Sequence, residues 1–225
     1  MDLQWKIRRA TYHLWTFTAS KMISTFGAQV YAFAVSLYIL HLTGSAANFA
    51  TNLICNILPR ALFGPIAGYA SDNYSRKSIV IFSQIGTCLS IFGLILFNRF
   101  FGITLYALYI TTALLSIAST FTSVAFSSSI MNLVDEKRIQ RAMSLNQMSI
   151  SLASIGSPIV GGILYAYMSI KGFLIIYLFA SCVAVILEST MNFRLFAKQQ
   201  AANEKQEKEP FLANMKAGLN YFRWK

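Results

Sequence analysis

Gly64-Pro65-Ile66-Ala67-Gly68-Tyr69-Ala70-Ser71-Asp72-Asn73-Tyr74-Ser75-Arg76-Lys77 ends in a short polar turn set between two apolar windows, residues 46–70 and 78–98. Each window reaches the roughly 20 residues that a helix needs to cross the hydrocarbon core of a bilayer. A turn this short can only join antiparallel neighbours, so the two windows predict a pair of transmembrane helices. Working outward, further windows of the same kind cover residues 15–41, 103–130, 143–167 and 173–193. The reading is therefore an all-α integral membrane protein with six transmembrane helices in residues 1–193. Composition agrees, since 56% of the 225 residues are hydrophobic and only 12% are charged, about half the charge of a soluble domain.

The basic residues set the expected orientation. Of nineteen Lys and Arg, fifteen fall on one side: Lys6, Arg8, Arg9, Arg76, Lys77, Lys137, Arg138, Arg141 and seven after residue 193. Only Arg99 and Lys171 fall on the other, and Lys21 and Arg60 lie inside spans. Basic flanks stay on the cytoplasmic side, so both termini are expected in the cytoplasm, at a plasma membrane. The net charge of +11 is then a product of topology, and no nucleic-acid partner is implied; the basic tail suits anionic membrane lipid. The first apolar stretch is too long for a signal peptide and has no small-residue cleavage site, so it reads as a retained anchor.

Two internal copies of one pattern suggest a repeat. Span two carries Gly64-Pro65-Ile66-Ala67-Gly68 and span five carries Ser157-Pro158-Ile159-Val160-Gly161, followed by Gly162. Each lies late in the second helix of a three-helix set, and the two helices run in opposite directions. That is the arrangement of an inverted 3+3 repeat. Small residues four apart let helix backbones approach, and Pro leaves a carbonyl in need of another donor.

Polar stripes mark candidate cavity walls. Thr112, Ser116, Ser119, Ser123 and Ser127 keep to one face of span four, and Ser24, Tyr31 and Tyr38 recur every seven residues in span one. In span five, Ser144, Gln147, Ser151 and Ser154 read as a close-packing face. Arg60 follows Pro59 near the middle of span two, where an unpaired cation costs at least about 2.5 kcal/mol. It is expected to meet an anionic substrate, a carboxylate of another unit, or an opened backbone carbonyl. Glu188 is the sole acidic residue within a span and hence the proton-coupling candidate, although its place near the cytoplasmic end suggests snorkelling to water.

Other chemistries are thinly supported. Cys55, Cys88 and Cys182 sit in three different spans without metal spacing, which reads as packing. His13 and His41 fall at opposite edges. No cofactor site, metal site or catalytic constellation is expected, and there is no GxxxxGK[ST] loop for a nucleotide.

The frame Gly68, Asp72, Arg76, Lys77 resembles the signature between helices two and three of the major facilitator superfamily, with Asn73 and Ser75 in place of its middle basic residue and glycine. Leu42-Thr43-Gly44-Ser45, Arg141-Ala142-Met143-Ser144-Leu145 and Ser157-Pro158 with Gly161-Gly162 are similar to the multidrug and macrolide-efflux branch. The resemblance covers essentially the whole chain. It implies the N-terminal half of a twelve-helix secondary transporter driven by an ion gradient, with helices one and four lining a cavity and helices two and five facing the other half. It also makes Gly68, Asp72, Arg76 and Lys77 a conformational-switch motif. Residues 194–225 then form a cytoplasmic linker, with Phe211, Met215, Leu219 and Phe222 at the spacing of an interfacial helix, leading toward an absent seventh helix. The expected partners are a small amphipathic substrate and a missing C-terminal half or, failing that, a second copy of the chain. The alternative is a non-transporting truncated remnant or a membrane interaction module.

Overall fold

The protein is described here from a computed structural model, which covers residues 2–133 and 136–191. Six helices follow one another: α1 Asp2–Thr43, α2 Ala46–Asn73, α3 Arg76–Phe101, α4 Leu105–Leu133, α5 Glu136–Tyr167 and α6 Ile170–Thr190. All six contain a stretch long and apolar enough to span a membrane. Even the shortest, α6, measures about 31 Å at 1.5 Å per residue.

The helix ends are fixed locally. Gly44 at φ 62° closes α1 and Gly102 at φ 77° closes α3, conformations open to glycine at little cost. Ser45, Ser75 and Ser169 cap α2, α3 and α6 by accepting from the backbone N–H groups of Asn48, Ser78 and Gly172. Three expected limits are corrected by these ends. Helix α4 starts at Leu105 rather than 103, because the chain must first recover from the Gly102 turn. Helix α6 stops at Thr190 rather than 193, and α5 already begins at Glu136, ahead of the apolar window. The predicted linker helix after residue 193 lies outside the described residues.

Packing follows the predicted inverted repeat. If α1 is exchanged with α4, α2 with α5 and α3 with α6, the helix pairs map onto one another. The extensive α1–α5 and α2–α4 contacts exchange, as do α3–α4 and α1–α6, while α3–α6 maps onto itself. The exchanged helices run antiparallel, so the relating axis lies in the membrane plane.

Two apolar clusters hold the bundle together. Toward the end opposite the Arg76–Lys77 turn, Tyr31, Val35 and Ile39 of α1 pack on Ile91, Leu94, Leu108, Phe173 and Leu174. At the turn end, Phe17, Val80, Ala125, Phe126, Ile130, Ala142 and Met191 form the second cluster. Large apolar side chains such as Phe82, Leu89, Ile110 and Phe179 point outward, as lipid-facing surface requires.

Candidate functional site

Between the two clusters the interior is polar. Helix α1 contributes Ser20, Lys21 and Ser24, α3 contributes Gln84 and Thr87, α4 contributes Thr120, Thr122 and Ser123, and α6 contributes Glu188. A cavity of about 380 Å³ opens in this layer. Its lining draws on all six helices, with Arg60 and Gly64 from α2, Ile150 from α5 and Tyr177 from α6. Arg60 is exposed on the surface of the six-helix unit, so the cavity reaches that surface along α2.

The charged groups are held very differently. Lys21 is 2% exposed; its Nζ donates to Ser123 Oγ at 3.0 Å and lies 5.6 Å from the centre of the Phe126 ring. Glu188 is fully buried. Its Oε1 accepts from Ser20 Oγ at 2.8 Å and from Ser24 Oγ at 3.5 Å, while Oε2 has no hydrogen-bond partner among the described residues. The expectation that Glu188 snorkels to water is therefore corrected, because the cluster around Met191, Phe17 and Val80 closes the bundle at that end. Arg60 makes no hydrogen bond or ion pair with any described residue.

Lys21 was visible as a charge inside a span but drew no role from the sequence. The signal was available: Ser20 and Ser24 flank it at helical spacing, and a lone cation in a span needs a counter-charge.

The predicted stripes divide. Ser119 and Ser123 line the cavity, as does Ser24. Thr112 and Ser116 are buried instead, with Ser116 Oγ donating to the Asn56 carbonyl in the turn that Pro59 interrupts, and Ser127 is exposed. Tyr31 belongs to the core, with its ring 5.4 Å from that of Tyr177 and 6.3 Å from that of Phe173; Tyr38 packs on the same cluster. The Ser144, Gln147, Ser151 and Ser154 row, read as a packing face, is exposed along α5.

The α2–α3 turn ties three helices. Arg76 donates from Nη1 to Ser128 O at 2.5 Å and from Nε to Ser71 O at 3.4 Å, joining α2 to the last turns of α4. Lys77 Nζ donates to Ser189 O at 2.8 Å on α6. Both cations thus meet helix C-termini, where the partial charge is negative. Asp72 is exposed and makes no ion pair among the described residues. A side chain added at Gly64, Gly68 or Gly162 would meet nothing within 4 Å, whereas one at Gly161 would stand 3.1 Å from Phe33 Cδ1 and 3.4 Å from Val30 O. Ser157 is buried and Pro158 and Pro65 are exposed.

The family model described as the Major Facilitator Superfamily matches residues 17–223. The chain belongs to the major facilitator superfamily. Among curated proteins this major facilitator is similar to the uncharacterized MFS-type transporter YfiS of Bacillus subtilis, 31% identical over 93% of the chain and 49% of that protein. It is also similar to macrolide efflux protein A of Streptococcus pyogenes, 25% identical over 81% of the chain and 44% of that protein, and to the Enterococcus faecalis protein of the same name, 26% identical over 64% and 44%. The chain thus spans about half the length of the curated relatives it matches.

Proposed function

We propose that this chain is one six-helix unit of a secondary active carrier that exports small amphipathic compounds by alternating access, with both termini in the cytoplasm. The observation that carries this reading is a cavity lined from all six helices and bearing Lys21, Arg60, Gln84 and several hydroxyls, in a bundle that turns many large apolar side chains outward. A polar cavity at membrane depth serves passage or binding, because buried polar groups without such use are costly there. The efflux function named for two of the relatives supports the export direction.

The complete carrier contains a second unit facing α2 and α5. Gly64, Gly68 and Gly162 stand in open space, and α5 presents Ser144, Gln147, Ser151 and Ser154 outward. Polar and small faces of this kind suit another helix rather than lipid. A second copy of the chain is the less favoured occupant, since the relatives carry about twice the matched length within one protein. Glu188 is the coupling carboxylate of this unit: it sits in the polar layer, hidden from bulk water, with one oxygen free to take a proton. The work done is transfer of a bound molecule and an ion, with no bond made or broken.

The test is accumulation of a panel of amphipathic dyes in cells carrying the gene with its own downstream sequence. Intact cells are expected to accumulate less compound than cells with an early stop codon, and Glu188→Gln is expected to abolish the response of export to an imposed pH gradient while the protein still reaches the membrane. Equal accumulation with and without the gene, across the panel, would favour a non-transporting remnant or interaction module.

A further inference from the structure

Resting on that reading, we infer that the cavity selects amphipathic monoanions, with Arg60 and Lys21 holding the negative head group. The charged side chains that line the cavity among the described residues are these two cations. Glu188 stands behind the wall, fully buried and bonded to Ser20 and Ser24 of α1. It offsets one positive charge and leaves one over. A charge at membrane depth without a counter-charge is unfavourable, so against the charges of the described residues a bound monoanion would restore the balance.

The donors fit that missing charge. Arg60 makes no hydrogen bond or ion pair with any described residue, and its planar guanidinium suits the two oxygens of a carboxylate or phosphate ester. Lys21 spends one of its three N–H donors on Ser123. Gln84 and Ser119 add neutral polar groups to the lining. Val124 and Ile150 add an apolar patch for the body of the molecule. A cationic compound would instead meet two like charges, a cost of the kind that excludes wrong partners.

The experiment uses the natural gene product, purified with whatever its downstream sequence supplies, and fluorescence anisotropy of a carboxylate dye and its methyl ester. The acid is expected to bind at least about tenfold more tightly than the ester. Arg60→Gln should remove most of that preference by weakening binding of the acid, and Arg60→Lys, which keeps the charge without the planar fork, should retain part of it. Size-exclusion profiles matching the wild type establish that the variants fold; Arg60 is exposed, so its replacement leaves the core intact. Saturable binding of acid and ester with equal affinity, or a preference that survives Arg60→Gln, overturns the anion inference and leaves the carrier reading standing. No saturable binding of either dye overturns both.

Discussion

The two copies of the small-Pro-apolar-apolar-Gly pattern fold alike and pack differently. In α5, Gly161 lets the backbone of α1 come close, so that an added Cβ would meet Phe33, Val30 and Ala34 within 4 Å. In α2, a Cβ added at Gly64 or Gly68 would meet nothing within 4 Å, and Gly64 stands where the cavity opens along the helix. One copy therefore closes a contact within the unit, and the other leaves a smooth face for something outside it. A motif shared by two repeats fixes what is possible at a backbone, and its neighbours decide whether the possibility is used.

The largest effect is expected where the pattern is already occupied. Gly161→Val forces two methyl groups against Phe33 and the α1 backbone and should destabilise the bundle by about 1–3 kcal/mol, read from denaturant unfolding in detergent micelles. Gly64→Ala and Gly68→Ala should shift stability by less than about 0.5 kcal/mol and yet lower export by the complete carrier. Equal destabilisation at all three positions would erase the distinction between the copies.

The turns that follow the two copies extend the contrast. Arg76 and Lys77 reach the ends of α4 and α6, but the α5–α6 connection at Met168 and Ser169 carries no such clamp. Arg76→Gln should cost about 1–2 kcal/mol through lost charge-assisted bonds, and Asp72→Asn within the same turn should cost under about 0.5 kcal/mol. The reverse order, measured in the same unfolding assay, would make Asp72 the structural member of the motif.

The smallest effect is expected where the repeats meet. Cys88 of α3 and Cys182 of α6 lie with their sulfurs 4.0 Å apart. A diazene oxidant should join them, taking one hydrogen from each thiol and becoming the hydrazine, and mass spectrometry of digested protein should find the linked peptides. Export should be unchanged, because α3 and α6 belong to one unit. A crosslink that arrests export would mean that these helices part during transport.

Six helices and their inverted pairing were legible because membrane depth dictates window length and because two prolines fell at matched places. Limits at Leu105, Glu136 and Thr190 were not, since apolarity marks where lipid ends and a helix continues or stops for local reasons. Arg60 stood out as a mid-span charge. Tyr31 and Tyr38 misled because each seven-residue step rises about 10 Å along the helix, which carries the stripe past the polar layer at Ser24 and into the core beside Phe173. The burial of Glu188 depended on Met191, Phe17 and Val80, side chains from three parts of the chain that no local pattern connects. The thiol pair was hidden for the same reason, across 94 positions.

The Ser20–Glu188 bond joins positions 168 apart, and that separation is also an interval of time. At synthesis rates of about 5–20 residues per second, roughly 10–30 s pass between the emergence of α1 and that of α6. Throughout it the first helix holds Lys21 with no carboxylate from another span yet made, because Glu188 is the sole acidic residue within a span. Ribosome stalling before α6 would hold the chain in that state, a ready substrate for the proteases that survey unassembled membrane helices.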